Sequence, residues 1–318
     1  MPETAPRRID AHAHVLPDAY LARLKLPDGS PFPLPPAPLE RLEETMERFA
    51  VDAAVVSTGP PGAFLGDQER ANELARVANE AIADIVRAEP DRFAGLALLP
   101  LPDVEAALAE LEHALDVLAL DGVLLLTSVA GTYLGDRSWD PLFDELERRG
   151  TYVFVHPGFP PHAPPLPQHP IWLYEFTFET VRAVANLVYS GTLERCPSVR
   201  LQLAHLGGAV PFLAHRLASL AGREPQLAAD APAGALAYLS RLYYDTGLSN
   251  HAPALAATLE VAPLEHVLFG TDWPYADLPP EGDDPAPDLE WLGDRRNRVD
   301  AVNAGVLVPR LASAGRSA

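Results

Sequence analysis

Eight short apolar runs, spaced by longer amphipathic stretches, limit what this chain can become. They lie at Arg8–Val15, Ala53–Ser57, Ala94–Pro100, Gly122–Thr127, Thr151–His156, Arg200–His205, Leu242–Thr246 and Val267–Thr271. Most are consecutive apolar residues bounded by Gly, Pro or Asp, which predicts strands buried on both faces. Between them the period changes to that of a helix. Leu39–Ala50 puts Leu39, Leu42, Met46 and Phe49 on one face. Glu69–Ala88 is rich in Ala and Glu and stops before Pro90, and Val104–Leu118 repeats Leu108, Leu111, Leu115 and Leu118. Pro141–Arg149, Phe178–Ser190, Val210–Ala221 and Pro253–Val261 also fit helices. Eight strand–helix units are the pattern of a (β/α)8 TIM barrel, and 318 residues hold one with insertions as a single domain, 1–318. A doubly wound open sheet competes. It usually carries a Gly-rich loop after its first strand, where this chain reads AHAHVLPD.

Three segments break the rhythm. Leu26–Pro38 (LPDGSPFPLPPAP) follows the first strand and His156–Trp172 (HPGFPPHAPPLPQHPIW) the fifth. Proline this dense continues neither helix nor central strand, so both read as semi-rigid loops. Loops after barrel strands lie on the catalytic face, which makes these two Pro-rich insertions walls or lids of a pocket. Ala276–Asp288 (ADLPPEGDDPAPD) is acidic as well as Pro-rich and reads as solvated surface.

Composition excludes several function classes. A net charge of -20 argues against nucleic acid or an anionic membrane surface as partner. No apolar stretch approaches the length of a transmembrane helix, and MPETAPRRIDAHAH lacks the apolar core of a signal peptide, so the cytoplasm is the expected compartment. One cysteine, Cys196, excludes an internal disulfide and thiolate-rich zinc sites. Lys25 is the sole lysine, so any mechanism that needs a lysine must use that residue.

Five polar residues close apolar runs at the end where barrel sites are built. These are His12 and His14 in IDAHAH, His156 in YVFVHPG, His205 in LQLAHLGG and Asp272 in LFGTDWPY. Residues i and i+2 of a strand face the same side, so His12 and His14 can share one ion. His156 and Asp272 would complete an N3O set that suits Zn2+, with Mn2+ or Fe2+ also accommodated, and leave a position for an acidified water. Each signal is weak by itself. Two histidines reach that spacing by chance, a lone strand-end His is commonly a satisfied core residue, and an Asp in GTDWP can be a turn residue. Their coincidence at one end of the strands carries the assignment, since ionisable groups seldom end buried strands without a function.

The motifs IDAHAHVLP, FVHPG, LAHLGGAVPFLAHR and LFGTDWPY, in this order, resemble the metal-dependent amidohydrolase superfamily, in particular its decarboxylase branch typified by α-amino-β-carboxymuconate-ε-semialdehyde decarboxylase. The middle third is most similar to 6-methylsalicylate decarboxylase-like members. The likeness runs from about Arg8 to about Leu311. It implies that His12, His14, His156 and Asp272 are metal ligands and that His205 exchanges a proton beside them. It also implies that Arg216, in H-x-G-G-x(2)-P-x(4)-R, reaches a neighbouring subunit's site in a homodimer and grips a substrate carboxylate. Tyr275 stands at an aromatic wall, Trp172 lies in the region that supplies another, and His251 follows the seventh strand and is placed to line the pocket. Binuclear relatives use a carbamylated lysine after the fourth strand. Here that strand ends GVLLLTSVAG, so a mononuclear site is implied. His162 and His169, in the second Pro-rich loop, are not ligands in that pattern and read as pocket edge or surface, while His113, His215 and His266 receive no role.

The resemblance implies non-oxidative decarboxylation of an aromatic or unsaturated carboxylic acid, with a small-molecule carboxylate as the partner. The same site could open a lactone or amide with Asp272 as general base, making the protein a hydrolase. A metal-binding protein without catalysis is the third class, disfavoured by the presence of all five motif residues.

Overall fold

The computed structural model of the protein describes residues 8–26, 28–162, 166, 168–279 and 284–312. Each apolar run becomes a strand: β1 (Ile9–His14), β2 (Ala53–Ser57), β3 (Phe93–Leu98), β4 (Gly122–Leu126), β5 (Tyr152–His156), β6 (Arg200–Leu203), β7 (Tyr243–Asp245) and β8 (Val267–Leu268). They pair in parallel, in chain order. Past β8 the chain returns to β1. Ala11 donates its N–H to Phe269 O at 2.9 Å, Asp272 to His12 O at 2.8 Å and His14 to Trp273 O at 2.8 Å. These bonds carry the sheet round into the expected (β/α)8 barrel. β7 and β8 are shorter than their apolar runs because the residues beyond them hydrogen-bond through side chains. Thr271 gives its N–H and its hydroxyl to the Asp10 carboxylate, at 3.0 and 2.6 Å, and the Thr246 hydroxyl meets Gly270 O at 3.2 Å.

The outer layer contains α1 (Asp18–Arg23), α2 (Leu39–Arg48), α3 (Gln68–Ala88), α4 (Val104–Glu112), α5 (Asp140–Arg149), α6 (Glu175–Tyr189), α7 (Val210–Ala221) and α8 (Ala252–Leu259). α3 shows how sequence sets them. Asp67 caps it by accepting the Arg70 N–H at 2.8 Å, and Ala71, Leu74, Ala75, Ala78 and Ile82 form the stripe buried on the barrel. The stripe is small because β3 lies close: a side chain at Gly95 would come within 2.6 Å of Ile82. Asn79, buried in that seam, donates to Leu98 O at 2.9 Å and Glu110 Oε1 at 2.7 Å and accepts from Leu98 N at 2.7 Å. The helix expected over Val104–Leu118 is α only to Glu112. It widens into a π-turn over His113–Val117, where Leu118 donates to His113 O and Leu120 to Ala114 O. That longer reach turns Leu120 back into the core.

α1 intervenes between β1 and the first Pro-rich segment. The described parts of the two Pro-rich segments meet, with the rings of Phe32 and Phe159 centred 6.0 Å apart. Residues 163–165 and 167 of the second segment lie outside the described residues. The third segment corrects the reading of solvated surface, although its residues 280–283 are likewise outside. Ala286 is fully buried, and Asp284 faces Arg296 and Arg8, with Arg296 also reaching Asp300 at 3.1 Å. Apolar and ion-pair contacts therefore pin this acidic stretch to the C-terminal turns. No helix among the described residues is long and apolar enough to cross a membrane.

Asn79→Ala strands three hydrogen-bonding groups between α3, α4 and β3. Urea unfolding should show a loss of about 2–3 kcal/mol.

Candidate active site

β1 carries a register shift between Asp10 and Ala13 against β2. The Asp10 carboxylate replaces the missing ladder bond by accepting the His12 N–H at 2.9 Å. That bulge, rather than plain alternation, aims His12 and His14 at one point. Their Nε2 atoms lie 3.1 Å apart, and 3.1 and 3.2 Å from Asp272 Oδ1. His156 comes from the end of β5, with Nε2 4.0 Å from the same oxygen. One donor atom from each of His12, His14, His156 and Asp272 falls within a 4.8 Å cluster, and all four residues are buried.

The histidines are oriented from behind. His12 Nδ1 is 2.8 Å from Asp245 Oδ1, His14 Nδ1 is 3.1 Å from Ser57 Oγ, and His156 Nδ1 is 2.8 Å from Pro157 O. A carbonyl only accepts, so the His156 proton sits on Nδ1 and Nε2 presents its lone pair. That buried Nε2 has no partner. An orphaned imidazole lone pair, aimed at two more imidazoles and a carboxylate oxygen, is the donor arrangement a divalent cation requires. The backbone leaves room for the rings: a Cβ at Gly59 would approach His14 Nδ1 to 2.7 Å, and one at Gly247 would approach His12 Nδ1 to 2.6 Å.

Burial dominates the protonation of His156, pushing it down to about 3, and likewise lowers His14. Burial acts on His12 in the same direction, but the Asp245 and Asp272 charges overrule it and raise His12 to about 10. Burial would lift Asp272, yet the His12 charge and hydrogen bonds from the surrounding imidazoles hold it well below the usual carboxylate range. The second oxygen of Asp272 has a separate neighbour, with His205 Nε2 3.1 Å from Oδ2. His205, Leu206 and Asp272 all adopt left-handed backbone conformations, with φ of +60°, +51° and +58°. Three strained non-glycine residues converge where these side chains meet.

Residues 9–296 match the amidohydrolase family. The chain belongs to that family. A 6-methylsalicylic acid decarboxylase of Penicillium expansum is 34% identical over 279 residues, covering 85% of each chain. A 2-amino-3-carboxymuconate-6-semialdehyde decarboxylase of Dictyostelium discoideum is 31% identical over 238 residues, covering 74% of this chain and 66% of its own. Among solved structures, a dihydroxybenzoic acid decarboxylase of a Polaromonas species, with bound manganese and the inhibitor 2-nitroresorcinol, superposes with a TM-score of 0.78 at 23% identity. That match covers 95% of this chain and 96% of the other.

The remaining site expectations divide. Tyr275 lies against the cluster, its ring centred 5.5 Å from His14 and its buried hydroxyl without a partner. Trp172 stands 68% exposed on the turn Ile171–Leu173, at the end of the second Pro-rich segment. His251 corrects the expectation of a pocket-lining residue, because it occupies the N-cap of α8 with a side chain 73% exposed, 3.9 Å from Asp288. Arg216 is exposed on α7, and His162 and His169 are exposed as well.

The sequence reading missed the supporting layer. Asp245 accepts from His12, from the His205 N–H at 3.2 Å, from the Gly247 N–H at 3.0 Å and from Gln202 Nε2 at 2.7 Å. Tyr152 donates to Gln202 Oε1 at 2.7 Å. Polar residues on the inward face of buried strands were the available signal: Gln202 in RLQLAH and Asp245 in YYDTG. Metal analysis by mass spectrometry should find one divalent ion per chain in the protein and none in His12→Ala/His14→Ala. In a chelator titration, Asp245→Asn should bind that ion about 10–100-fold more weakly.

Proposed function

We propose that the protein is a metal-dependent decarboxylase of aromatic carboxylic acids. The observation that carries this reading is the divided duty of Asp272, whose Oδ1 completes the three-histidine cluster while Oδ2 faces His205. The relatives' names supply the reaction class. The carboxylate carbon–ring bond breaks, CO2 departs, and the electron pair left on the ring takes up one proton. His12, His14, His156 and Asp272 would hold the ion. When bound, a divalent cation supplies positive charge beside the substrate oxygens and so favours charge build-up as CO2 leaves. The Asp272 Oδ2–His205 Nε2 pair holds the proton next to the reacting ring, and burial of both keeps water from competing for it. Tyr275 forms one wall. The N3O donor set suits Zn2+ first, and Mn2+, present in the Polaromonas enzyme, fits it as well.

We assign the working unit as a homodimer in the cytoplasm. Phe212 is 84% exposed on α7, and Arg216 lies one turn further along the same face. α6 packs beside α7, and the turn that leads into α6 exposes Trp172 and Leu173. An aromatic face with one arginine in it fits a two-fold contact that inserts Arg216 into the partner's pocket, where it would hold the substrate carboxylate against the overall charge of -20.

Metal-loaded protein should release CO2 from a hydroxybenzoate panel, and ring opening of lactones without CO2 release would sink the decarboxylase reading. His205→Ala should keep its ion and lose about 10²–10⁴-fold in turnover. A mixture of Arg216→Ala and His205→Ala chains should regain activity through hybrid dimers. Heterodimers that form and stay as inactive as their parents would refute the shared site.

A further inference from the structure

A cavity of about 420 Å³ lies at the C-terminal ends of β3 and β4, under the segment that follows β2 and beside Phe159 of the second Pro-rich segment. Its walls include Leu98, Leu99, Leu101, Leu126, Val129 and Phe159, and among the described residues Ser128 is the one polar side chain that lines it. Two stretches of chain link it to the metal cluster. Gly158, two residues beyond His156, packs on Leu126, which is the ladder partner of His156. Phe159 stacks edge-on against Phe176, 6.2 Å between centres, and Phe176 in turn meets His156 at 6.4 Å. On the other side the segment starting at Gly59, against His14, runs into the cavity wall at Pro61 and Gly62.

We infer that this cavity takes an alkyl substituent of the aromatic acid, so that the preferred substrates carry an uncharged side chain of several carbons and not a second carboxylate. The inference rests on the decarboxylase reading for the fate of the acid, but not for its binding. A void of this size falls in the range of small-molecule pockets, about 300–1,000 Å³, and far exceeds one methyl group. Among the described residues no charged side chain lines it, so a second carboxylate placed there would be desolvated without a partner. An alkyl chain instead gains about 0.8 kcal/mol per buried carbon, which is about four-fold in kcat/KM.

The test uses metal-loaded protein with two series, 4-alkyl and 6-alkyl salicylates running from hydrogen through methyl and ethyl to propyl. CO2 release should rise about four-fold per carbon in at least one series, and the corresponding 3-alkylphenols should show the same gradient in calorimetric binding. Val129→Phe, checked by circular dichroism and melting temperature, should flatten both gradients. If that variant does not fold, the wild-type series alone decide. Flat or falling responses in both activity and binding, or preference for a carboxymethyl-substituted acid, overturn the inference. Rising phenol binding with no CO2 from any acid keeps the cavity assignment and overturns the decarboxylase reading instead.

Discussion

Asp272 joins the closure of the barrel to its chemistry. Its backbone N–H, donated to His12 O, is one of the three bonds that bring the end of the sheet back to β1. Its side chain then turns into the mouth, one oxygen toward His12, His14 and His156 and the other toward His205. A buried carboxylate in an apolar barrel would become neutral. The histidines reverse that preference, so the oxygen that completes the donor set stays charged. Closure that failed by one residue would displace the ligand and the strand seam together.

The polar centre is stable because nearly every group in it is paired across strands. Tyr152, Gln202, Asp245 and His12 form one chain through β5, β6, β7 and β1, and Asp10 ties β1 to Thr271 beyond β8. Burial drives Asp10 up to about 6 despite its three hydrogen bonds, so this tie is made at an electrostatic cost. Such pairing fixes the tautomer and tilt of the imidazoles before any ion arrives, which is how a metal site avoids reorganising on binding. Against that background the unpartnered Nε2 of His156 is informative. It is the one ligand nitrogen whose partner is not supplied by the protein.

Periodicity made the barrel legible: eight apolar runs correspond to eight strands, and the ligands stand where apolar runs end in His or Asp. What escaped was whatever depended on a contact rather than a pattern. The bulge at His12 leaves no mark in IDAHAH, because an i, i+2 pair looks the same in a regular strand. Asp245 reads as a strand-end acid until His12 is seen beside it. The acidic segment before Asp288 has a surface composition, yet Asp284 finds two arginines distant in sequence. His251 and Trp172 stand in loops that leave the barrel mouth, where the sequence carries no periodicity to show that both side chains face outward from their own chain.

The mouth is lopsided. Polar groups come from β1, β5, β6, β7 and from beyond β8, whereas β3 and β4 end in leucines that line the cavity. The binuclear pattern of the wider superfamily, with a carbamylated lysine after the fourth strand, is the one from which this chain departs. Here Leu124, Leu125 and Leu126 occupy that strand end and are among the residues that line the cavity. That flank offers apolar walls and, among the described residues, no charged side chain, and such walls favour hydrocarbon over a charged group. A site built this way gathers its metal donors on one side and leaves the other flank to select what the ring carries.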